Sequence, residues 1–278
     1  MAYRKDVWRF PGSNEYEYKF IGNYGAKGEK RHKKQKASPE QIRKQNQRNK
    51  EKRIRRLIKA NFKEGDMWVT LKYSKGTRKS IEEVKDNLTK FLNSMRTQYK
   101  KRGHALKFIY RMEVGAKGGV HIHILINRID QANTDEIITK CWKRFGHVNY
   151  QNIYEAGGYA DLAAYIVKEY EENTEEYEQL SLFEEYEQKE LIKYSSSRNL
   201  IRPEPERTDY SRRTVRKLID DGPKPAKGYF IDPDSIVKGQ NPYTGMSYLY
   251  YTEYRLTRDG PHREGKYEAC KYIHGNNI

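Results

Sequence analysis

The sequence predicts an α+β protein in which helices flank a central antiparallel sheet. Between residues 67 and 170, short β-branched and aromatic segments alternate with segments of helical spacing, in the order β-α-β-β-α-β-α. Two of these strands are separated only by residues 115–119, so we expect them to pair as an antiparallel hairpin. A sheet of this kind needs helices to bury its apolar surface, and we expect them to cover one face.

Helix and strand signals place each element of this core. Ser38 is a predicted N-cap, with Pro39 in the first turn and Gln41 at capping-box spacing, for a helix that runs to about residue 61. Ser80 and Glu83 mark the start of a second helix in the same way. The predicted strands cover residues 67–73, 106–114, 120–127 and 147–153, and the other predicted helices cover residues 134–145 and 161–170.

The two ends of the chain and one internal segment differ in composition from this core. Residues 1–37 are polar with scattered aromatic residues, and we expect a partly ordered arm here, not an independent domain. Residues 171–190 carry nine Glu against one Lys, which predicts a solvated helix or a disordered insertion. Residues 193–205 have the composition of a connecting loop, and residues 248–256 that of a strand. The predicted division is a basic arm and helix at 1–53, a central domain at 54–203 and a basic, Tyr-rich C-terminal extension at 204–278.

The charge of the chain indicates a polyanionic partner. The formal net charge is +17, and residues 30–60 alone carry 14 Lys and Arg against Glu40 and Glu51. A basic run this dense exceeds what solubility requires, and nucleic acid is the commonest polyanion that such a protein binds.

Cysteine content and hydropathy limit where the protein is expected to work. Cys141 and Cys270 are too few for a disulfide framework, which fits a reducing cytoplasm. No segment approaches the roughly 20 apolar residues that a membrane-spanning helix needs. The sequence therefore predicts a cytoplasmic protein that has no membrane partner.

The most specific chemical signal is the pair His121 and His123 in the predicted strand 120–127. Side chains alternate between the two faces of a strand, so both imidazoles point to the same face, with their Cβ atoms about 6–7 Å apart. Two neighbouring imidazoles can bind one metal ion. The alternative is that they form hydrogen bonds within a packed sheet.

A third ligand is expected from the neighbouring strand of the hairpin. If the turn at residues 115–119 closes symmetrically, Glu113 lies opposite His121 and points to the same face. A register slip of one residue would send it to the other face. A carboxylate with two imidazoles suits Mn²⁺ or Mg²⁺ better than structural Zn²⁺, which prefers thiolates. The alternative for Glu113 is a surface residue near Arg111 or Lys117.

Tyr165 and Lys168 form the second candidate group. If both lie on the predicted helix 161–170, positions i and i+3 share a face, so the phenol and the ammonium can reach one phosphate. A tyrosine that attacks phosphorus forms a phosphotyrosyl link, while a metal ion polarises the phosphate and a lysine offsets the developing charge. The alternative is a Tyr165 packed in the core and a solvated Lys168.

The order of these parts resembles that of a known superfamily. The strand 67–73, a strand that bears Glu113, the segment Gly-Gly-Val-His-Ile-His-Ile-Leu-Ile and a later helix Ala-Ala-Tyr-Ile-Val-Lys resemble the HUH endonucleases. Within that superfamily the chain is similar to single-tyrosine rolling-circle replication initiators of bacterial plasmids and small single-stranded DNA phages. The resemblance covers roughly residues 54–203.

The resemblance implies a reaction, a fold and a set of site residues. Such an enzyme nicks one strand at a replication origin, leaving a 5′-phosphotyrosine and a free 3′-OH, with Mn²⁺ or Mg²⁺ as cofactor. The implied fold is similar to RNA-recognition and ferredoxin-like folds. The implied partners are single-stranded or hairpin origin DNA, together with a host helicase and polymerase. The residues that match are His121, His123 and Glu113 as metal ligands, Tyr165 as nucleophile with Tyr170 and Tyr159 as alternatives, and Lys168 as the lysine three residues after the nucleophile.

Candidate DNA-binding residues follow the first core strand and the last core helix. Basic side chains with interleaved aromatic rings suit single-stranded DNA, since phosphates take the charge and bases stack on rings. The candidates are Lys72, Tyr73, Lys75, Arg78, Arg198, Asn199 and Arg202. The basic helix at residues 38–60 is expected to add contacts with duplex or hairpin DNA, and binding should weaken with salt.

Two other functions fit the same sequence. A single-tyrosine transposase or relaxase would share the chemistry and differ in its DNA substrate. A non-catalytic single-stranded DNA-binding protein would explain the charge and the aromatic residues without a metal ion.

Overall fold

The computed structural model describes residues 2–22, 27–30, 36–129, 132–153, 158–170 and 174–256. These residues form two compact units. The central unit is residues 50–201, and the terminal unit combines described residues up to 49 with those from 202 onward. Cys270, the start of the acidic segment and the end of the C-terminal extension lie outside the described residues.

Eleven strands and seven α-helices are formed by the described residues. The strands are β1 (Tyr3–Arg9), β2 (Ser13–Phe20), β3 (Met67–Tyr73), β4 (Phe108–Val114), β5 (Val120–Ile126), β6 (Gly146–Asn152), β7 (Tyr194–Ser196), β8 (Glu206–Tyr210), β9 (Tyr229–Ile231), β10 (Val237–Gln240) and β11 (Ser247–Arg255). The helices are α1 (Pro39–Asn61), α2 (Ile81–Lys101), α3 (Thr134–Trp142), α4 (Gly158–Ile166), α5 (Glu175–Ser181), α6 (Glu185–Ile192) and α7 (Arg212–Asp221).

The central unit contains a five-stranded sheet in the order β6-β3-β5-β4-β7, in which every neighbouring pair is antiparallel. Its first six elements, β3-α2-β4-β5-α3-β6, give the β-α-β-β-α-β arrangement of ferredoxin-like folds. The α+β class and the antiparallel central sheet are therefore confirmed.

The two predicted capping boxes are also confirmed. The backbone N–H of Gln41 donates to Ser38 Oγ at 3.2 Å, and that of Ser38 donates to Gln41 Oε1 at 2.8 Å. Ser80 and Glu83 make the same reciprocal pair at the start of α2. Each box satisfies two backbone N–H groups, one of them an N–H of the first helical turn that would otherwise lack a partner.

Helices pack on both faces of the central sheet, so the expectation that they cover one face is wrong. Ile122, Ile124 and Ile126 of β5 belong to a core that α2 and α3 cover together with Leu180 and Leu191. On the other face, Trp68, Ile109 and Leu125 pack with the last turns of α1 and with α4. The second face also carries the two histidines, because they alternate with the isoleucines along β5.

Three predicted segments of the central unit differ from the structure. Helix α4 ends at Ile166, four residues before its predicted end. The acidic segment forms α5 and α6 and is anchored because Leu180 and Leu191 are buried, so neither a fully solvated helix nor a disordered insertion describes it. Within the predicted loop 193–205, β7 pairs with β4.

The terminal unit holds a second antiparallel sheet built from both ends of the chain. Its strands lie in the order β10-β11-β2-β1-β8, with β9 paired to β11, and α7 buries Val215 against it. The expectation of a partly ordered arm is therefore wrong for β1 and β2. Their outer partners are β8 and β11, about 200 residues later in the chain, and no local pattern reports such pairing. Among the described helices, none combines the length and the apolar character needed to cross a bilayer.

Candidate metal and tyrosine site

The hairpin of β4 and β5 brings the three predicted ligands together. Glu113 lies directly opposite His121, as the symmetric turn predicts, and Arg111 lies opposite His123. Each of the two histidines and Glu113 offers one ligand atom, and these atoms all lie within 4.8 Å of one another. Within the described residues this is the one group of three or more such side chains that could hold a metal ion.

His123 has a defined orientation at the centre of this cluster. Its Nε2 atom lies 2.9 Å from Glu113 Oε2, and its Nδ1 atom lies 3.2 Å from the hydroxyl of Thr70 on β3. Trp68 stacks on the imidazole with ring centroids 5.7 Å apart and an interplanar angle of 18°. A hydrogen-bonded partner on the far nitrogen is the usual way in which proteins orient a metal-binding imidazole.

The charges of the cluster match those that metal ligands require. Burial alone would raise the pKa of Glu113, but the contacts with His123 and Tyr165 and the charge of Arg111 lower it to about 2. Burial and the neighbouring His123 lower the pKa of His121 to about 4. Near neutral pH, Glu113 is thus a carboxylate and His121 a neutral imidazole, which are the forms that bind a cation.

Gly115 leaves the space that the His121 ring occupies. A Cβ atom at this position would lie 2.6 Å from His121 Cε1 and 3.2 Å from Nε2. Two backbone hydrogen bonds close the turn, from Gly115 N to Gly119 O at 2.9 Å and from Gly118 N to Gly115 O at 2.8 Å. The turn therefore sets the strand register and leaves room for the ligand ring beside it.

Tyr165 lies at the end of α4 with its hydroxyl on the cluster. The hydroxyl donates a hydrogen bond to Glu113 Oε2 at 2.5 Å and lies 3.1 Å from His123 Nε2. Burial, followed by the charge of Glu113 and this hydrogen bond, raises the pKa of Tyr165 far above its ordinary value. The phenol is therefore protonated, and its oxygen contacts two of the three ligand side chains.

Buried apolar residues hold α4 in this position. Leu162 and Ile166 pack against the second core together with Tyr159, which is 2% exposed. Tyr170 lies beyond the helix, and its hydroxyl accepts a hydrogen bond from the backbone N–H of Val114 at 3.2 Å. Of the three candidate tyrosines, Tyr165 is thus the one whose hydroxyl lies at hydrogen-bond distance from Glu113 and His123 in the described structure.

Lys168 does not share a helical face with Tyr165, so that part of the prediction is wrong. Helix α4 has ended at Ile166, and the backbone N–H of Lys168 donates to Tyr165 O at 3.2 Å in a tighter turn. The Lys168 side chain is half-buried.

The predicted DNA-binding residues are distributed over both faces of the central sheet and beyond it. Lys72 contributes, after burial and His123, to the lowered pKa of His121, which places it beside the cluster. Tyr73 points to the opposite face and packs against Trp142 with centroids 5.4 Å apart. Asn199 donates to Leu106 O at 3.1 Å. The remaining candidates, Lys75, Arg78, Arg198 and Arg202, are exposed, and the last belongs to the terminal unit.

Four side chains at the site were not predicted from the sequence. Thr70 and Trp68 alternate on β3 with buried residues of the other face, so their period-two spacing could have indicated them once β3 was placed beside β5. Gly115 and Arg111 carried no such signal, because a close approach and a buried hydrogen bond depend on the tertiary structure.

The comparisons identify a replication-associated region. A family model described as replication-associated protein, of the ORF2 type, matches residues 66–170. This segment runs from the residue before β3 to Tyr170, covers less than half of the chain, and includes Glu113, both histidines and Tyr165. Comparison with curated proteins and with solved structures finds no match. The family match supports a function in DNA replication and a DNA partner.

Proposed function

We propose that the central unit nicks one strand of origin DNA by attack of Tyr165 on a phosphodiester, with a divalent metal ion held by Glu113, His121 and His123. The observation that carries this proposal is the position of the Tyr165 hydroxyl, which lies within hydrogen-bond distance of two of these three side chains. A tyrosine that served only to fill the core would not need its hydroxyl on such a cluster.

The side chains supply the proton acceptor and the orientation for this reaction. Tyr165 oxygen forms a bond to phosphorus, the bond from phosphorus to the 3′ oxygen breaks, and the leaving oxygen takes a proton to become a free 3′-OH. Glu113 Oε2 already accepts the hydrogen bond of the phenol and is the nearest group that can take its proton. A bound Mn²⁺ or Mg²⁺ would polarise the phosphate and favour the phenolate.

Neighbouring cations are proposed to contact the DNA. Lys72 lies beside His121, and Lys168 is tied to the backbone of the nucleophile, so both are close enough to the cluster to offset phosphate charge. Lys75, Arg78 and Arg198 are exposed on the same unit and suit the sugar-phosphate backbone of a single strand.

The family match favours an initiator over the other nicking enzymes. Its description names replication, and the matched residues contain the whole candidate site. A non-catalytic DNA-binding protein is disfavoured by the contact between Tyr165 and the ligand cluster, which charge-driven binding does not require.

The test is covalent adduct formation with 3′-fluorescein-labelled single strands that tile the origin of the replicon encoding the chain. The wild type with Mn²⁺ should give a labelled band at the mass of protein plus DNA in a denaturing gel. Tyr165→Phe should abolish this band and keep DNA binding, because only the attacking oxygen is lost. Tyr110→Phe is the matched control, since Tyr110 lies on β4 but packs on the opposite face of the sheet. Adduct formation by Tyr165→Phe would move the nucleophile elsewhere.

A further inference from the structure

Arg111 is a buried charge next to the candidate site. It lies on β4 two residues before Glu113, is 0% exposed and faces His123 across the strand pair. Removing a guanidinium from water costs free energy unless partners offset the charge. A residue this costly at this place calls for an account of what its side chain contacts.

The guanidinium contacts the backbone at the end of α4. Its Nη1 atom donates to the carbonyl oxygens of Tyr165 at 2.9 Å, Ile166 at 3.4 Å and Lys168 at 2.9 Å. The last carbonyls of a helix have no partner within the helix, so a cation there satisfies them and interacts favourably with the helix dipole. One of the three carbonyls belongs to the candidate nucleophile itself.

Groups on the same side of the sheet offset the buried charge. Arg111 lies over the ring of Tyr170, with its guanidinium carbon 5.6 Å from the ring centroid, and its charge acts on the Glu113 carboxylate. Arg111 therefore links two parts of the site: the strand that carries Glu113 and the helix end that carries Tyr165.

We propose that Arg111 is a positioning residue that holds the backbone of Tyr165 against β4, so that the phenolic oxygen stays on the metal-ligand cluster. This inference rests on the proposed function. Without the three hydrogen bonds, the end of α4 would be held only by the packing of its apolar residues. Because misplacement of a reacting group by about 1 Å can slow a reaction about 100-fold, the reaction rate reports this role directly.

The test separates the rate of adduct formation from the amount formed. Wild type, Arg111→Met and Arg111→Lys react in single-turnover experiments with saturating labelled single strand and Mn²⁺. We expect Arg111→Met to slow the reaction about 10- to 100-fold. The final amount of adduct per folded molecule and the dissociation constants for DNA and Mn²⁺ should stay near the wild-type values. Arg111→Lys retains a cation that reaches fewer carbonyls, so its rate should lie between the two.

A matched variant distinguishes positioning from general stability. Leu162→Ala removes a buried side chain from the same helix and leaves the three carbonyl hydrogen bonds in place. It should lower the thermal midpoint without slowing the reaction per folded molecule. The inference is overturned if Leu162→Ala slows the reaction as much as Arg111→Met, or if Arg111→Met reacts at the wild-type rate.

Two further outcomes are decided in advance. If Arg111→Met does not fold, Arg111→Lys decides the matter, and a wild-type rate in that variant overturns the inference. If the wild type itself forms no adduct, the proposed function fails and the inference fails with it. A wild-type adduct combined with an unchanged rate in the Arg111 variants refutes the inference alone.

Discussion

Replacement of Gly115 by Ala tests whether the room left for the His121 ring matters for metal binding. The new Cβ would lie 2.6 Å from His121 Cε1, whereas carbon atoms in contact are normally about 3.5 Å apart, so the ring must retreat by about 0.9 Å. Metal–ligand distances tolerate only about 0.2 Å. The backbone at Gly115 is not in the left-handed region, so the substitution should leave the fold intact.

We expect Gly115→Ala to bind Mn²⁺ about 10- to 100-fold more weakly, as when the support of a ligand is lost, which is about 1.4–2.8 kcal/mol. Isothermal titration calorimetry with Mn²⁺ measures this directly. Gly119→Ala is the matched control, because it lies in the same turn and its Cβ would meet no atom within 4 Å. Equal Mn²⁺ affinity in Gly115→Ala and the wild type would refute the reasoning that His121 is a ligand held in this position.

Two other predictions follow from the neighbours of the cluster. Thr70→Val removes the hydroxyl beside His123 Nδ1 and should weaken Mn²⁺ binding about tenfold in the same titration, whereas Thr89→Val, on an exposed turn of α2, should not. Unchanged affinity in Thr70→Val would mean that the hydroxyl does not orient the ring. Lys72→Met should reduce the slope of log affinity for single-stranded DNA against log salt by about 0.7, the value for one phosphate contact. Lys90→Met on α2 is its control, and an equal slope in wild type and Lys72→Met would exclude a phosphate contact by Lys72.

The metal-ligand geometry could be predicted because it depends on short-range rules. Alternation along β5 places the two histidines on one face, and the five-residue turn sets which residue of β4 lies opposite His121. Both rules act within about ten residues of the chain. The same holds for the helix starts at Ser38 and Ser80, where the capping residues are three positions apart.

The end of α4 could not be predicted because a distant residue contributes to it. Helical spacing continues to Tyr170 in the sequence, but Arg111, more than 50 residues earlier, donates hydrogen bonds to the last carbonyls. The helix stops at Ile166, and Lys168 leaves the face on which the spacing placed it. The hydroxyl of Tyr165 still contacts Glu113, since the tyrosine lies within the last helical turn.

Segments whose partners are far away in the chain were missed for the same reason. β1 and β2 have alternating side chains, but charged and aromatic residues share both faces, and the strands become recognisable only beside β8 and β11. In the acidic segment, the excess of Glu concealed Leu180 and Leu191, two single apolar residues that suffice to pack short helices against the sheet.

The central claim is that Tyr165 attacks DNA only when the cluster holds a metal ion. The most direct measurement is mass spectrometry of the peptide that stays linked to a labelled origin strand, after reaction with Mn²⁺ and, in parallel, with EDTA. The account predicts that the nucleotide is linked to Tyr165 in the Mn²⁺ sample and that no linked peptide forms with EDTA. A nucleotide linked to Tyr170 or Tyr159, or an equal yield in EDTA, would contradict it.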